Sequence, residues 1–190
     1  MTMSKRTSFL KSEFRAGEQE EKLLLEGYFI KYNEETELYP GVFEEIDSRA
    51  VVNSLANNDV RCLFNHDTGK VLGRTGNSTL ELRTDDVGLY GVVEINREDP
   101  EAMAIYARIN RGDINACSFG FFPIQEDIEF RDDGTTKFVV REIDLFEVSA
   151  VTFPAYPQTE IAARNNDIES IKKQKLEIRK AKLKERLKND

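Results

Sequence analysis

Alternation of apolar and polar positions, which is typical of strands with one buried face, recurs along most of the chain before residue 153. Strands are predicted over residues 22–32, 38–46, 60–65, 71–75, 79–83, 89–95, 114–124 and 137–152. Turn residues stand between two pairs of these strands and predict hairpins at residues 85–88 and 132–134.

Two short helices are predicted between the strands. One follows the capping residues Asp47 and Ser48. The other covers residues 100–111, with Asp99 as its N-cap and Gly112 after its last turn. The sequence therefore predicts an α+β fold that is mainly β, a small closed or strongly curled β-barrel of about seven or eight strands with flanking helices. Because strands do not alternate regularly with helices, a doubly wound parallel sheet is disfavoured.

Charge is distributed unevenly along the chain. Residues 164–190 carry a net charge of +5, whereas the whole chain carries −8 and the remainder therefore −13. We predict a flexible N-terminal arm over residues 1–21, a folded domain over residues 22–163 and a basic helical tail over residues 164–190. An acidic body repels nucleic acid, so no nucleic-acid partner is expected. The tail fits a solvated charged helix first, a partner-binding or removable extension second, and a nucleic-acid-binding segment last.

Composition excludes several classes of protein. Of the 190 residues, 39% are hydrophobic and 33% are charged, enough to form a core. No apolar run reaches the length of about 18 residues that a membrane-spanning helix needs, so no membrane partner is expected. The basic N-terminus lacks the apolar stretch of a signal peptide. The two cysteines, Cys62 and Cys117, indicate reduced thiols in a cytoplasmic protein.

Cofactor chemistry finds little support in the sequence. Phosphate-binding glycine loops are absent, and a metal would have to bind His66 with carboxylates such as Asp67. One imidazole makes a poor transition-metal site. No cofactor and no metal are therefore predicted.

Two adjacent nucleophiles lie on the strand over residues 114–124. Ser118 and Cys117 point to opposite faces of that strand, so at most one of them can meet a base. Ser118 has the small neighbours Ala116 and Gly120 on its own face, which leave space for a carbonyl carbon. A serine hydroxyl needs a base to take its proton, and His66 is the chain's one histidine.

A carboxylate normally orients the imidazole in such a site. Glu147 lies among apolar neighbours on the strand over residues 137–152, where an unpaired carboxylate would be costly to bury. Asp144 and Asp67 remain alternatives.

Several short phrases carry a family resemblance when they are taken in order. They are EGY at 26–28, YPGVF at 39–43, FNHD at 64–67, VLGR at 71–74, DVGL at 86–89, INRGDI at 109–114, CSFGF at 117–121 and DLFEVSAVTFPAYP at 144–157. With them the chain resembles the prohead (capsid-maturation) serine protease family of tailed bacteriophages. The resemblance covers about residues 22–163.

The resemblance implies a serine endopeptidase with a small β-barrel similar to herpesvirus assemblin. It implies Ser118 as nucleophile, His66 as general base and Glu147 as the third member of the triad. Backbone N–H groups of Ala155 and Tyr156 would then stabilise the oxyanion.

The resemblance also implies partners and a location. Such a protease cuts the scaffolding protein, or the scaffolding segment of the major capsid protein, and itself, inside the immature prohead in the host cytoplasm. A homodimer is the oligomeric state that similarity to assemblin suggests. Two alternatives are a catalytically silent scaffold or capsid-assembly protein with the same fold and an unrelated small esterase.

Overall fold

A computed structural model describes residues 5–10, 14–19 and 22–153, together with residues 168, 169, 173, 176, 177 and 180. The chain divides into two units, Met1–Ala155 and Tyr156–Asp190. In the second unit the six described residues are all helical. The rest of the predicted tail helix, and most of residues 154–190, lie outside the described residues.

The first unit is mainly β. Its described strands are β1 (Arg6–Leu10), β2 (Arg15–Gln19), β3 (Lys22–Lys31), β4 (Thr36–Tyr39), β5 (Val42–Ile46), β6 (Arg61–Phe64), β7 (Asp67–Arg74), β8 (Leu80–Thr84), β9 (Gly88–Ile95), β10 (Ala116–Phe130) and β11 (Thr136–Val151). Its helices are α1 (Val52–Asn57) and α2 (Pro100–Arg111), and a short 3-10 turn covers Thr75–Asn77.

The strands form two separate sheets. The first has the order β1-β10-β11-β5-β4, and β6 pairs with both β11 and β7. The second has the order β2-β3-β9-β8 and is antiparallel throughout. The long strand β11 is the centre of the first sheet, because it pairs with β10 on one side and, in parallel, with β5 and β6 at different positions on the other.

The two sheets share one hydrophobic core. Side chains from both sheets and from α2 belong to a single buried cluster, which includes Leu25, Phe29 and Val93 from the second sheet, Phe121, Leu145 and Val148 from the first, and Ile105 and Ile109 from the helix. Burial of these apolar side chains away from water is the main stabilising contribution to the fold.

The predicted barrel is wrong. Within the described part of the chain, eleven strands lie in two sheets, and each sheet has edge strands rather than closing on itself. Alternation along a strand tells which of its faces is buried and not which strand is its neighbour. The same pattern therefore fits a closed barrel and two packed sheets.

Capping and turn residues predicted the bounds of helix α2 and the positions of two hairpins correctly. Helix α2 has the predicted bounds: the Asp99 carboxylate accepts hydrogen bonds from the backbone N–H groups of Glu101 and Ala102, and Gly112 adopts a φ of +88° after the last turn. Both predicted hairpins form, between β8 and β9 and between β10 and β11. Helix α1 starts at Val52, later than predicted.

The N-terminal segment contains strands that the sequence analysis did not predict. Within residues 1–21, assigned above to a flexible arm, β1 pairs with β10 and β2 pairs with β3. Both are five residues long and close to the chain end. Among the described residues, no helix has the length and apolar composition needed to cross a bilayer.

A close approach of backbones at the β3–β9 pair gives a test of the fold. A Cβ atom on Gly88 would lie 1.9 Å from the backbone oxygen of Ile30, whereas one on Gly17 in β2 would meet nothing within 4 Å. We expect Gly88→Ala to lower the free energy of unfolding by about 1–3 kcal/mol. The matched Gly17→Ala should leave it unchanged or raise it by up to about 1 kcal/mol. Urea denaturation measures both, and equal losses would contradict this packing.

Candidate active site

His66 lies in the two-residue turn that joins β6 to β7. Phe64 pairs with Asp67, and the two residues between them, Asn65 and His66, have φ values of +53° and +59°. Two positive φ values in a two-residue hairpin loop are those of a type I′ turn, which asparagine favours at its first position. The turn thus presents the imidazole at the end of the hairpin in an uncommon backbone conformation.

The side chain of Asn65 fixes this turn to the end of β11. Its Oδ1 accepts a hydrogen bond of 2.8 Å from the backbone N–H of Thr152. Its own backbone N–H donates to the carbonyl oxygen of Ala150 at 2.9 Å. The turn that carries His66 is therefore held against the strand that carries Glu147.

His66 contacts Glu147 directly. Nδ1 of the imidazole lies 2.6 Å from Oε1 of the carboxylate, whose side chain is 2% exposed while that of His66 is 25% exposed. An ionised carboxylate accepts a hydrogen bond from Nδ1–H and so selects the tautomer in which Nε2 carries the lone pair. Contact with the imidazole also offsets the cost of burying the carboxylate.

The second oxygen of the same carboxylate is held by Ser149. The Ser149 hydroxyl, which is fully buried, donates to Oε2 of Glu147 at 2.7 Å. Both carboxylate oxygens therefore have partners, and the carboxylate plane is fixed relative to the sheet. Ser149 is a positioning residue that the sequence analysis did not single out, although its place two residues from Glu147 puts it on the same face.

Gly120 provides the space that this carboxylate occupies. It pairs with Glu147 across the β10–β11 ladder, at a point where the register shifts and leaves Phe146 without a partner of its own. A Cβ atom on Gly120 would lie 2.3 Å from Oε1 of Glu147 and 2.7 Å from Cζ of Phe146. Glycine at this position therefore allows the side chains of Phe146 and Glu147 to pack against β10.

Ser118 lies on the same face of the sheet as Glu147. It is directly opposite Ser149, so the two Cβ atoms lie about 4.5–5.5 Å apart. The Ser118 side chain is buried, and its hydroxyl donates to the backbone carbonyl oxygen of Ser8 in β1 at 2.7 Å. The structure thus brings Glu147 and His66 into contact, whereas the hydroxyl of Ser118 is hydrogen-bonded to β1.

The other two candidate carboxylates have different partners. Asp144 accepts a hydrogen bond of 2.6 Å from the side-chain amide of Asn58. The exposed Asp67 accepts one of 2.9 Å from the backbone N–H of Gly69. Of the three carboxylates considered, Glu147 is the one in contact with the imidazole.

The two thiols are part of the core. Cys62 and Cys117 are both fully buried and belong to the hydrophobic cluster. Cys117 lies on the face of β10 opposite to that of Ser118. Burial raises the pKa of the Cys62 thiol, and the nearby Glu147 carboxylate raises it further. A thiol in this environment remains protonated and is a poor nucleophile.

The remaining questions from the sequence concern the oxyanion donors and possible metal ligands. Ala155 and Tyr156, the predicted oxyanion donors, lie outside the described residues. Within the ranges that the structure describes, no group of three or more His, Cys, Asp or Glu side chains is arranged to hold a metal ion.

Comparison with known proteins identifies relatives of this chain. Residues 10–174 match the model of a family described as caudovirus prohead serine protease. A protein named "Prohead protease" from Escherichia phage T5 is 32% identical over 108 residues, which are 56% of this chain and 46% of that protein. The chain thus spans about half the length of the curated relative that it matches. No solved structure matches it.

Removal of the Ser149 hydroxyl tests the network around Glu147. In Ser149→Ala, Oε2 of a buried carboxylate loses its partner, and we expect the free energy of unfolding to fall by about 1–3 kcal/mol. The exposed Ser48 offers a matched control, since Ser48→Ala should change stability by less than about 0.5 kcal/mol. Chemical denaturation of the two variants measures the difference, and an unchanged Ser149→Ala would contradict the network.

Proposed function

The chain belongs to the caudovirus prohead serine protease family, and on that basis we propose that it is a serine endopeptidase. Its nucleophile is Ser118, its general base is His66, and Glu147 orients the imidazole. The observation that carries the proposal is the 2.6 Å contact between Nδ1 of His66 and the buried carboxylate of Glu147. A hydrolase of the Ser-His-acid type uses this pairing, because it leaves Nε2 as the proton acceptor.

The mechanism follows from these roles. Nε2 of His66 takes the hydroxyl proton of Ser118 as Oγ attacks the scissile carbonyl carbon. The tetrahedral intermediate collapses when the C–N bond breaks and His66 gives that proton to the leaving amine. Water then attacks the acyl-enzyme with His66 again as base, which releases the new carboxyl terminus and restores the hydroxyl. The Glu147 carboxylate stabilises the imidazolium that forms each time His66 takes a proton, first from Ser118 and then from water.

Stabilisation of the oxyanion is assigned to the segment after β11. The backbone N–H groups of Ala155 and Tyr156 are the donors that we propose, since the neighbouring residues Pro154 and Pro157 have no N–H to offer. Donors of this kind act on the transition state because negative charge develops on the carbonyl oxygen only as the nucleophile adds.

The substrate that we propose is the scaffolding protein, or the scaffolding segment of the major capsid protein, together with the protease itself. Family membership supports this, and so does the name of the T5 relative. Cleavage would take place inside the immature prohead in the host cytoplasm, with the major capsid protein as partner. A homodimer is the oligomeric state that we propose to test.

The basic tail fits into the same proposal. Residues 164–190 carry +5 on a chain whose net charge is −8. We propose a protease domain over residues 22–163 and a helical tail over residues 164–190, with residues 1–21 as an arm that pairs with the domain through β1 and β2. The tail would help to package the enzyme among scaffold helices and would later be removed.

One observation favours a second candidate, a catalytically silent assembly protein with the same fold. The hydroxyl of Ser118 is buried and donates to the Ser8 carbonyl oxygen. A hydroxyl that never reaches His66 would leave the chain inactive. Assembly without proteolysis separates this candidate from the enzyme.

Replacement of the nucleophile is the direct test. When the chain is co-expressed with its phage's capsid and scaffolding proteins, Ser118→Ala should reduce cleavage by several orders of magnitude, because triad members act as a unit. Intact-mass spectrometry measures the fragments. The adjacent Cys117→Ala is the matched control and should retain cleavage. Loss of cleavage in Cys117→Ala with retention in Ser118→Ala would reverse the assignment, and assembly without cleavage by the parent chain would favour the silent protein.

A second test asks which carboxylate orients the imidazole. Glu147→Gln keeps the side-chain shape but removes the charge that fixes the tautomer, so kcat should fall by about 10²–10⁴-fold. Asp144→Asn and Asp67→Asn are the matched controls, and each should stay within about threefold of the parent. Turnover of a capsid-derived peptide measures all three, and a loss in either control as large as that in Glu147→Gln would contradict the assignment.

A further inference from the structure

The first strand of the chain lies directly beside the proposed nucleophile. β1 is an edge strand whose ladder partner is β10, and the two run antiparallel. In this register Phe9 is opposite Ser118 and Thr7 is opposite Gly120. Without β1, residues 117–121 of β10 would form an open sheet edge, which is a ready template for another extended chain.

The main chain of β1 makes a specific contact with the nucleophile. The hydroxyl of Ser118 has one proton, and that proton is donated to the backbone carbonyl oxygen of Ser8 at 2.7 Å. The same proton must be donated to His66 for catalysis, so the two hydrogen bonds exclude each other. A peptide substrate paired with β10 would likewise place an extended backbone with a carbonyl group at Ser118.

A mostly buried ion pair joins β1 to β10. Both guanidinium Nη atoms of Arg6 contact the carboxylate of Glu126 in β10, one of them at 3.1 Å. The Arg6 side chain is 6% exposed, and its guanidinium carbon lies 5.7 Å from the centroid of the Phe138 ring. The Nζ atom of Lys5 lies 4.8 Å from the centroid of Phe146, next to the register shift opposite Gly120.

We propose that the edge of β10 over residues 117–121 is the peptide-binding site of this chain, and that β1 is its resident occupant. β1 acts as a self-inhibiting strand, which must leave before an extended polypeptide segment can pair antiparallel with β10 and place its carbonyl group at Ser118. The inference rests on the proposed function, because it takes Ser118 as the nucleophile.

The chain provides a matched pair of arginines with which to test this. Arg131 contacts Glu35 through both Nη atoms, one of them at 3.1 Å, and lies over the ring of Phe43 at 5.3 Å. It therefore repeats the contacts of Arg6, but in the turn between β10 and β11. Arg6→Ala weakens the attachment of β1, whereas Arg131→Ala removes an ion pair of the same type elsewhere. The control pair is more exposed, since the Arg131 and Glu35 side chains are 32% and 33% exposed against 6% and 21% for Arg6 and Glu126.

The experiment measures how fast a fluorophosphonate probe labels Ser118 in the full-length chain, by intact-mass spectrometry. We expect labelling of Arg6→Ala to be about tenfold faster than that of the parent, and labelling of Arg131→Ala to be unchanged. Glu126→Gln attacks the same ion pair from the β10 side and should also label faster. Because both substitutions break one interaction, their combination should add little to the faster single variant.

Each result decides between the proposals. Equal labelling rates in the parent, Arg6→Ala and Glu126→Gln would overturn the inference and leave the serine protease intact. Absence of labelling in every chain would overturn the proposed nucleophile, and with it the inference. Hydrogen exchange over residues 116–121 gives a second measurement: exchange should be faster in Arg6→Ala than in Arg131→Ala, and equal exchange would count against release of β1.

Discussion

The contact between His66 and the buried carboxylate of Glu147 is the interaction on which the rest of the site depends. A carboxylate that is 2% exposed needs partners for both oxygens, and it has them in the imidazole and in the hydroxyl of Ser149. Two other features serve the same contact: glycine at position 120 leaves room for the carboxylate, and Asn65 holds the turn of His66 against β11. The site is thus built on strands and a tight turn, which position side chains firmly.

The proposed nucleophile, Ser118, is in a different state from its proposed partners. Glu147 and His66 are already in contact, whereas the hydroxyl of Ser118 is hydrogen-bonded to the backbone of β1. A preformed His66–Glu147 pair with a covered hydroxyl agrees with the proposal that cleavage of the scaffold begins only after assembly. In this view activation requires the displacement of one edge strand and no rearrangement of the core.

Local chemistry explains why parts of the fold were predictable. Helix α2 has Asp99 at its N-cap and Gly112 after its last turn, and the turn residues at 85–88 and 132–134 lie in the two predicted hairpins. These features depend on residues close together in sequence. The division of the strands into two sheets depends on pairings between distant segments, such as β6 with β11, and alternation does not encode the neighbour of a strand.

The same distinction applies to the site. The sequence alone determined that His66 is the one imidazole available as base, and that Ser118 shares a strand face with the small residue Gly120. The tertiary structure decided that Glu147, rather than Asp144 or Asp67, contacts the imidazole, and that β1 covers the hydroxyl. The physical reason is distance along the chain: these contacts join segments about 80–110 residues apart, and their geometry follows from sheet register and packing rather than from local residue preferences.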